Sequence, residues 1–199
     1  MNTPELSRAS IGARRSPETE AAVLTATAEL IREVGYAALT IEAVAKRARA
    51  GKATIYRWWP SKAHLLLSLY SASKQEVARP NTGSLRGDLI DYVGAMLARW
   101  RGDDGATATA PLLRLLIAEA QMDAAVQAAL VDERTRRWHH IDRIVLQARQ
   151  RGELNPALTP RRAEQKIIAL LWYLLLNDQL PGPADTPALV DDILAGMLV

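Results

Sequence analysis

Cationic and hydrogen-bonding side chains gather between Lys52 and Lys62, in a stretch that reads KATIYRWWPSK. The ammonium groups of Lys52 and Lys62, the guanidinium of Arg57 and the phenol of Tyr56 can bind phosphate oxygens or base edges. Lys62 follows Pro60 in the first turn of a predicted helix, where the lysine and the helix dipole both attract an anion. The segment therefore predicts a surface for a phosphate-bearing partner.

Two short helices must position these side chains. Ile41, Val44, Ala45 and Ala48 recur at i, i+3, i+4 and i+7, which predicts a helix with one buried stripe. Thr40 is the natural N-cap of this first helix.

A second helix is predicted from about Lys52 to Trp58, after a break at residues 49–51. Ile55 and Trp59, four residues apart, would pack against the first helix. The outward face then carries Lys52, Ala53, Tyr56 and Arg57. Two short helices joined by a tight turn, the second one basic, form a helix-turn-helix, a shape that fits a DNA major groove.

At these residues the chain resembles the TetR family of bacterial transcription regulators. The resemblance rests on Ser16-Pro17, Gly35-Tyr36, Thr40, Ala45, Ala48, Thr54, Ile55, Tyr56, Trp59, Pro60, Ser61 and Lys62. So many matched spacings are far more specific than a lone short motif. The resemblance implies an all-helical homodimer, with an N-terminal domain that binds operator DNA and a C-terminal domain that binds a small inducer.

The resemblance also implies which residues contact DNA. Matching positions imply phosphate contacts by Thr40, Thr54, Tyr56 and Lys62. They imply contacts to base edges or the adjoining backbone by Lys52, Ala53 and Arg57.

Arg49 departs from the family pattern, since the family usually has glycine at this turn position. If the position needs a positive φ, a residue with a side chain costs about 1 kcal/mol there, or the turn differs locally. Alternatively, Arg49 supplies an extra phosphate contact.

Beyond Lys62 the apolar spacing stays helical and no alternating strand pattern occurs, which predicts an all-α chain. The predicted helices cover about 17–34, 61–79, 84–101, 108–121, 124–151, 160–178 and 186–198, besides the helix-turn-helix. We assign 1–62 to an N-terminal arm and a three-helix helix-turn-helix domain, and 63–199 to a helical ligand-binding and dimerisation domain. The linking helix after Pro60 would couple the two.

The last two helices predict an assembly surface. The first is apolar on more than one face, through Ile167, Ile168, Leu170, Leu171, Leu174 and Leu175, and the second carries Leu189, Ile193, Leu194 and Leu198. A helix that is apolar on two sides needs two partners, and in the family these helices form a four-helix dimer bundle. The alternative is burial within one monomer.

The ligand site is predicted from composition alone. A cavity for a small apolar or amphipathic inducer is mostly apolar and contains a few aromatic, sulfur-containing or polar side chains. The candidates for such a cavity are Met96, Trp100, Leu116, Trp138, His139 and Tyr173. Each of them is individually more typical of core or surface. We expect no metal and no cofactor, because adjacent His139 and His140 point about 100° apart on a helix and no cysteine is available.

Charge supports a DNA-binding N-terminal part. Residues 1–62 carry ten Lys/Arg against six Asp/Glu, net +4, whereas the remainder carries fifteen against sixteen, net −1. Arg8, Arg14 and Arg15 lie on a segment that would be either a DNA-contacting arm or a solvated tail. No signal peptide or membrane span is expected, which favours the cytoplasm.

Three classes of function remain. A ligand-responsive transcriptional regulator, most often a repressor released from a palindromic operator, explains all of these features together. A sequence-nonspecific architectural DNA-binding protein would leave the C-terminal domain without a role. An all-helical enzyme would need catalytic residues, and no spacing of Asp or Glu singles them out, so we expect none.

Overall fold

The structure, a computed structural model, describes residues 16–72, 80–103, 105 and 108–199, except for the side chains of residues 134 and 136–139. Its α-helices are α1 (Pro17–Ala38), α2 (Ile41–Ala48), α3 (Lys52–Trp58), α4 (Lys62–Ala72), α5 (Leu85–Arg101), α6 (Ala110–Met122), α7 (Ala124–Gln150), α8 (Pro160–Leu176) and α9 (Thr186–Leu194). A 3₁₀ turn, Pro183–Asp185, precedes α9. The all-α prediction is confirmed.

Gly35 ends the regular part of α1 as predicted, because its backbone is not helical (φ 78°, ψ 164°), and one further turn follows it up to Ala38. The predicted end of the last helix was wrong. The last helix ends at Leu194 and not at Leu198, because Gly196 adopts a φ of 70°.

The residues after α9 pair with the loop between α7 and α8. Leu198 forms an isolated antiparallel bridge with Leu154. The Val199 amide donates to the Glu153 carbonyl at 3.1 Å, and the Asn155 amide donates to the Met197 carbonyl at 2.9 Å. These hydrogen bonds provide partners for backbone groups that lie outside the helices.

The chain separates into two compact units, one up to Leu69 and one from Tyr70 onward. The division lies within α4, the linking helix, whose first residue is Lys62. Leu65 and Leu66, in the first two turns of α4, are fully buried. These turns therefore belong to the N-terminal core.

The N-terminal unit is built on an apolar core between α1, α2 and α3. Its fully buried side chains include Val23, Val44, Ile55 and Trp59. Burial of such side chains contributes about 1.5–3 kcal/mol each, which makes this core the main source of the unit's stability.

In the C-terminal unit, α7 lies at the centre and packs against α5, α6 and α8, while α5 also packs against α9. Fully buried side chains from these helices form the core: Leu89, Val93, Leu97, Leu116, Val145, Ile167 and Val190.

A buried carboxylate ties together the two ends of this core. Asp88, in the first turn of α5, is fully buried and accepts hydrogen bonds from the Thr82 amide at 2.7 Å and the Thr82 hydroxyl at 2.9 Å. Arg151, which follows α7, donates to Asp88 at 3.2 Å and also pairs with Glu153. Glu153 in turn accepts from the Leu85 amide at 2.5 Å. The start of α5 is thereby joined to the end of α7.

Candidate nucleic-acid interface

The turn between α2 and α3 requires a left-handed residue, and Arg49 supplies it. Arg49 has φ 51° and ψ 37° and its amide donates to the Lys46 carbonyl at 3.4 Å, while the Ala50 amide donates to the Ala45 carbonyl at 3.0 Å. The turn is therefore formed despite the missing glycine, at a strain of about 1–2 kcal/mol. The exposed Arg49 side chain stays available to solvent.

The second helix of the motif, α3, separates its residues into a buried and an exposed side. Ile55 and Trp59 are buried as predicted, and the Trp59 indole donates to the Ser68 hydroxyl at 2.8 Å. The opposite side exposes Lys52, Ala53, Tyr56 and Arg57, and Thr54 is half-buried. The buried side fixes α3 on its unit, so the exposed side is presented in a defined orientation.

Two further residues that are predicted to contact DNA, Thr40 and Lys62, lie at helix starts. The Thr40 hydroxyl accepts from the Ala43 amide at 3.1 Å, which is the predicted N-cap of α2, and the side chain is exposed. The Lys62 ammonium donates to the Tyr36 carbonyl at 3.4 Å and lies 4.4 Å from the centre of the Tyr36 ring. This cation–π contact holds the charge of Lys62 at the first turn of α4.

Trp58 is half-buried and packs against its neighbour Trp59. Its ring meets that of Trp59 edge to face, with centroids 5.7 Å apart and planes at 73°. Such a pair stabilises by about 0.5–1.5 kcal/mol beyond the buried area. This geometry accounts for Trp58 as part of the helix junction.

An ion pair that the sequence did not predict joins α2 and α3. Lys52 Nζ lies 2.8 Å from Glu42 Oε1, and the two side chains are 56% and 53% exposed. The hydrogen bond from Lys52 lowers the pKa of Glu42, with a smaller contribution from the positive charge. Rules for pairs within one helix could not find it, because the partners lie ten positions apart on different helices.

A second ion pair fixes α2 on α1. The Arg47 guanidinium binds Glu33 through two hydrogen bonds of 2.8 Å and reaches Glu29 at 3.3 Å. The hydrogen bonds from Arg47 lower the pKa of Glu33, and Glu33 and Glu29 raise the pKa of Arg47. Bidentate geometry orients the pair more tightly than a single contact would.

The predicted ligand residues are placed unequally. Trp100 on α5 and Leu116 on α6 are buried, and Met96 is half-buried. Tyr173, by contrast, lies on the outer side of α8 and is 56% exposed. The side chains of Trp138 and His139 lie outside the described residues, as do Arg8, Arg14 and Arg15.

A separate groove of about 330 Å³ lies between α7 and α8, lined by Asp142, Val145, Leu146, Pro160, Arg161 and Glu164. Burial and a hydrogen bond to Asp142 raise the pKa of Glu164 to about 6. Within the described residues, no three His, Cys, Asp or Glu side chains are grouped so as to hold a metal ion. None of the described helices is both long and apolar enough to cross a bilayer.

Two family models match the chain. The model described as bacterial regulatory proteins of the tetR family matches residues 23–69, which include α2 and α3. The model described as a tetracyclin repressor-like C-terminal domain matches residues 79–194. The chain belongs to the TetR family of transcriptional regulators. The observed helix-turn-helix is therefore the DNA-binding element of a TetR-family protein.

Relatives along most of the chain support the assignment. The HTH-type transcriptional regulator Rv1556 of Mycobacterium tuberculosis is 38% identical over 89% of this chain and 85% of its own length. The DNA-binding transcriptional repressor TetR of Mycobacteroides abscessus is 33% identical over 89% of this chain and 93% of its own. A DNA-binding transcriptional regulator is thus the function, and the nonspecific architectural alternative is not favoured.

Solved structures of transcriptional regulators share the fold. The TetR family transcription regulator SCO0332 superimposes with a TM-score of 0.67 at 31% identity, covering 90% of this chain and 98% of its own. FadR of Bacillus subtilis, solved in complex with stearoyl-CoA, has a TM-score of 0.68 at 19% identity, covering 89% and 98%. At that identity the likeness to FadR concerns the fold alone.

Proposed function

We propose that this ligand-responsive TetR-family regulator is a repressor that binds a palindromic operator as a homodimer and is released by a small-molecule inducer. The observation that carries the proposal is α3, whose Ile55 side is fully buried while its Lys52, Tyr56 and Arg57 side is exposed. Two copies of this helix would enter successive major grooves about 10 bp apart, or a related separation, and exclude RNA polymerase.

Within that interface the residues have different roles. Thr40, Thr54, Tyr56 and Lys62 contact phosphates and position the unit, whereas Lys52, Ala53 and Arg57 face base edges or the adjoining backbone. The exposure of Lys52 and Arg57 on α3 supports the second role. Arg49, exposed on the neighbouring turn, adds a phosphate contact.

The dimer would form through α8 and α9. Ile167, Leu171 and Leu175 face the core of their own unit, yet Tyr173 and Leu176 on the same helix are at least half exposed. An apolar outer side of this kind supports α8 as an interface helix. The support from α9 is weaker, since its Leu189, Ile193 and Leu194 are buried within the unit.

The inducer would be a small apolar or amphipathic molecule held among α5, α6 and α7. The large apolar residues Trp100 and Leu116 on α5 and α6 support this location. Because α4 runs across the boundary between the two units, it is the element through which ligand binding would alter the spacing of the two α3 helices. We assign the protein to the cytoplasm, where its DNA target lies, and assign it no catalytic activity.

Selection of bound fragments from sheared genomic DNA, with excess competitor at near-physiological salt, tests the proposal. We expect an enriched inverted repeat, and binding without any enrichment would contradict the proposal.

The roles of individual residues are tested by measuring how variants bind the enriched fragment and other sequences. Lys62→Ala should weaken binding to all sequences, whereas Lys52→Ala should relax base preference, and equal losses on every sequence would contradict the base-reading role of Lys52.

A further inference from the structure

The Lys52–Glu42 pair lies within the proposed DNA-reading surface itself. Lys52 is the first residue of α3 and Glu42 lies in the first turn of α2, with 2.8 Å between Nζ and Oε1. Both side chains are more than half exposed, so a duplex bound on this face would meet the carboxylate together with the ammonium.

Local electrostatics explain why the pair forms. Gly51, the N-cap of α3, provides no side-chain hydrogen bond, and the first turn of α3 contains no acidic residue. Lys52 is thus a cation at the positive end of a helix dipole, without a compensating charge on its own helix. Glu42 supplies that charge from α2, where the start of the helix favours an anion.

We infer that Glu42 is a specificity-determining residue, which competes with DNA for Lys52. This inference rests on the proposed function. On any duplex, a phosphate or base that binds Lys52 must share the ammonium with the carboxylate or displace it, and the carboxylate is itself repelled by the phosphates. A correctly placed base acceptor, such as guanine O6 or N7, offsets the free energy lost when the contact with Glu42 weakens, whereas a nonspecific duplex offers no such acceptor. Glu42 therefore suppresses nonspecific binding more than operator binding.

The test is Glu42→Gln, which removes the charge and keeps the size of the side chain. Binding to a random-sequence duplex and to the selected genomic fragment is measured by fluorescence anisotropy over a series of salt concentrations. We expect affinity for the random duplex to rise about threefold more than affinity for the selected fragment, given the modest strength of exposed pairs. The slope of log affinity against log salt on the random duplex should steepen by about 0.9, because one more cation becomes available to displace counterions.

Two controls separate loss of the pair from loss of a negative charge. Glu18→Gln makes the same change of charge in the first turn of α1, where Glu18 accepts a hydrogen bond from the Ser16 hydroxyl at 3.4 Å. In a Lys52→Ala background, Glu42→Gln should have no more effect than Glu18→Gln.

The inference is overturned if Glu18→Gln matches Glu42→Gln, or if the gain persists without Lys52. Failure of the proposed function looks different, since the unmodified protein would then show no enriched fragment at all. In that case, the effect of Glu42→Gln on binding to the random duplex still tests whether Glu42 competes with DNA for Lys52.

Discussion

Each of the two units contains an arginine–carboxylate pair, but the two pairs differ in how far solvent reaches them. The side chains of Arg47 and Glu33 in the N-terminal unit are 38% and 51% exposed, whereas those of Arg151 and Asp88 in the C-terminal unit are 26% and 0% exposed. Exposed ion pairs add little to the free energy of unfolding, while a buried charge that loses its partners lowers it strongly. The DNA-binding unit therefore depends on its apolar core and keeps its charges on the surface. The C-terminal unit has, besides its apolar core, a carboxylate that solvent does not reach.

The largest effect should come from Asp88. Asp88→Ala removes the acceptor of the Thr82 amide and hydroxyl and one of the two carboxylate partners of Arg151, so we expect the free energy of unfolding to fall by about 3–5 kcal/mol. Urea unfolding followed by circular dichroism measures the loss. Asp91→Ala, an exposed change on the same helix, is the control and should shift the midpoint little. A loss of under about 1 kcal/mol for Asp88→Ala would show that this buried pair stabilises the protein no more than an exposed pair does.

The helix-turn-helix could be predicted from the sequence because its signals are local. Thr40 caps α2, Arg49 takes the turn position, and Ile55 and Trp59 repeat at helical spacing. The Asp88 cluster and the Leu154–Leu198 bridge could not, since they join positions that are far apart in the chain.

The two candidate sites differ in the same way. Exposure along α3 follows from the helical period, as the residues predicted to face outward do so. Which residues line a cavity between helices depends on the packing of whole helices. Composition selected Tyr173 together with Trp100, yet one is exposed and the other buried.

An intermediate case lies between α7 and α8, where Glu164 faces Asp142 on α7 and Arg161 on its own helix. Burial and the hydrogen bond to Asp142 raise the pKa of Glu164 from 4.5 to about 6. The folded protein therefore binds this proton more tightly than the unfolded chain does. The stabilisation that protonated Glu164 provides is complete below pH 4.5 and is lost as the pH rises through about 6.

Glu164→Gln keeps a hydrogen-bond donor toward Asp142 and cannot ionise. We expect the variant to lack the part of the stability decrease that occurs between pH 4.5 and 6 in the unmodified protein, an effect below about 2 kcal/mol. Urea midpoints at half-unit pH intervals measure it, with Glu119→Gln on α6 as the matched change. Parallel pH profiles for Glu164→Gln and the unmodified protein would show that the two carboxyl groups do not share a proton.

The smallest effect should come from the exposed pair. Arg47→Met keeps most of the aliphatic length of the side chain and removes the hydrogen bonds to Glu29 and Glu33. We expect the urea midpoint to shift by no more than about a quarter of the Asp88→Ala shift. Added salt should shrink the difference further, because solvent ions screen an exposed pair but not a buried one.

The control for Arg47 is a variant with Glu29→Gln and Glu33→Gln, which removes the same pair from the α1 side without leaving two acids together. If Arg47→Met destabilises much more than this double change, repulsion between the two glutamates accounts for the difference, and the pair stabilises chiefly by neutralising α1. If both variants instead match Asp88→Ala, exposure does not decide what an arginine–carboxylate pair contributes in this protein. The contrast between the two units would then have to lie in geometry, since the bidentate contact to Glu33 is a better-formed pair than the single contact to Asp88.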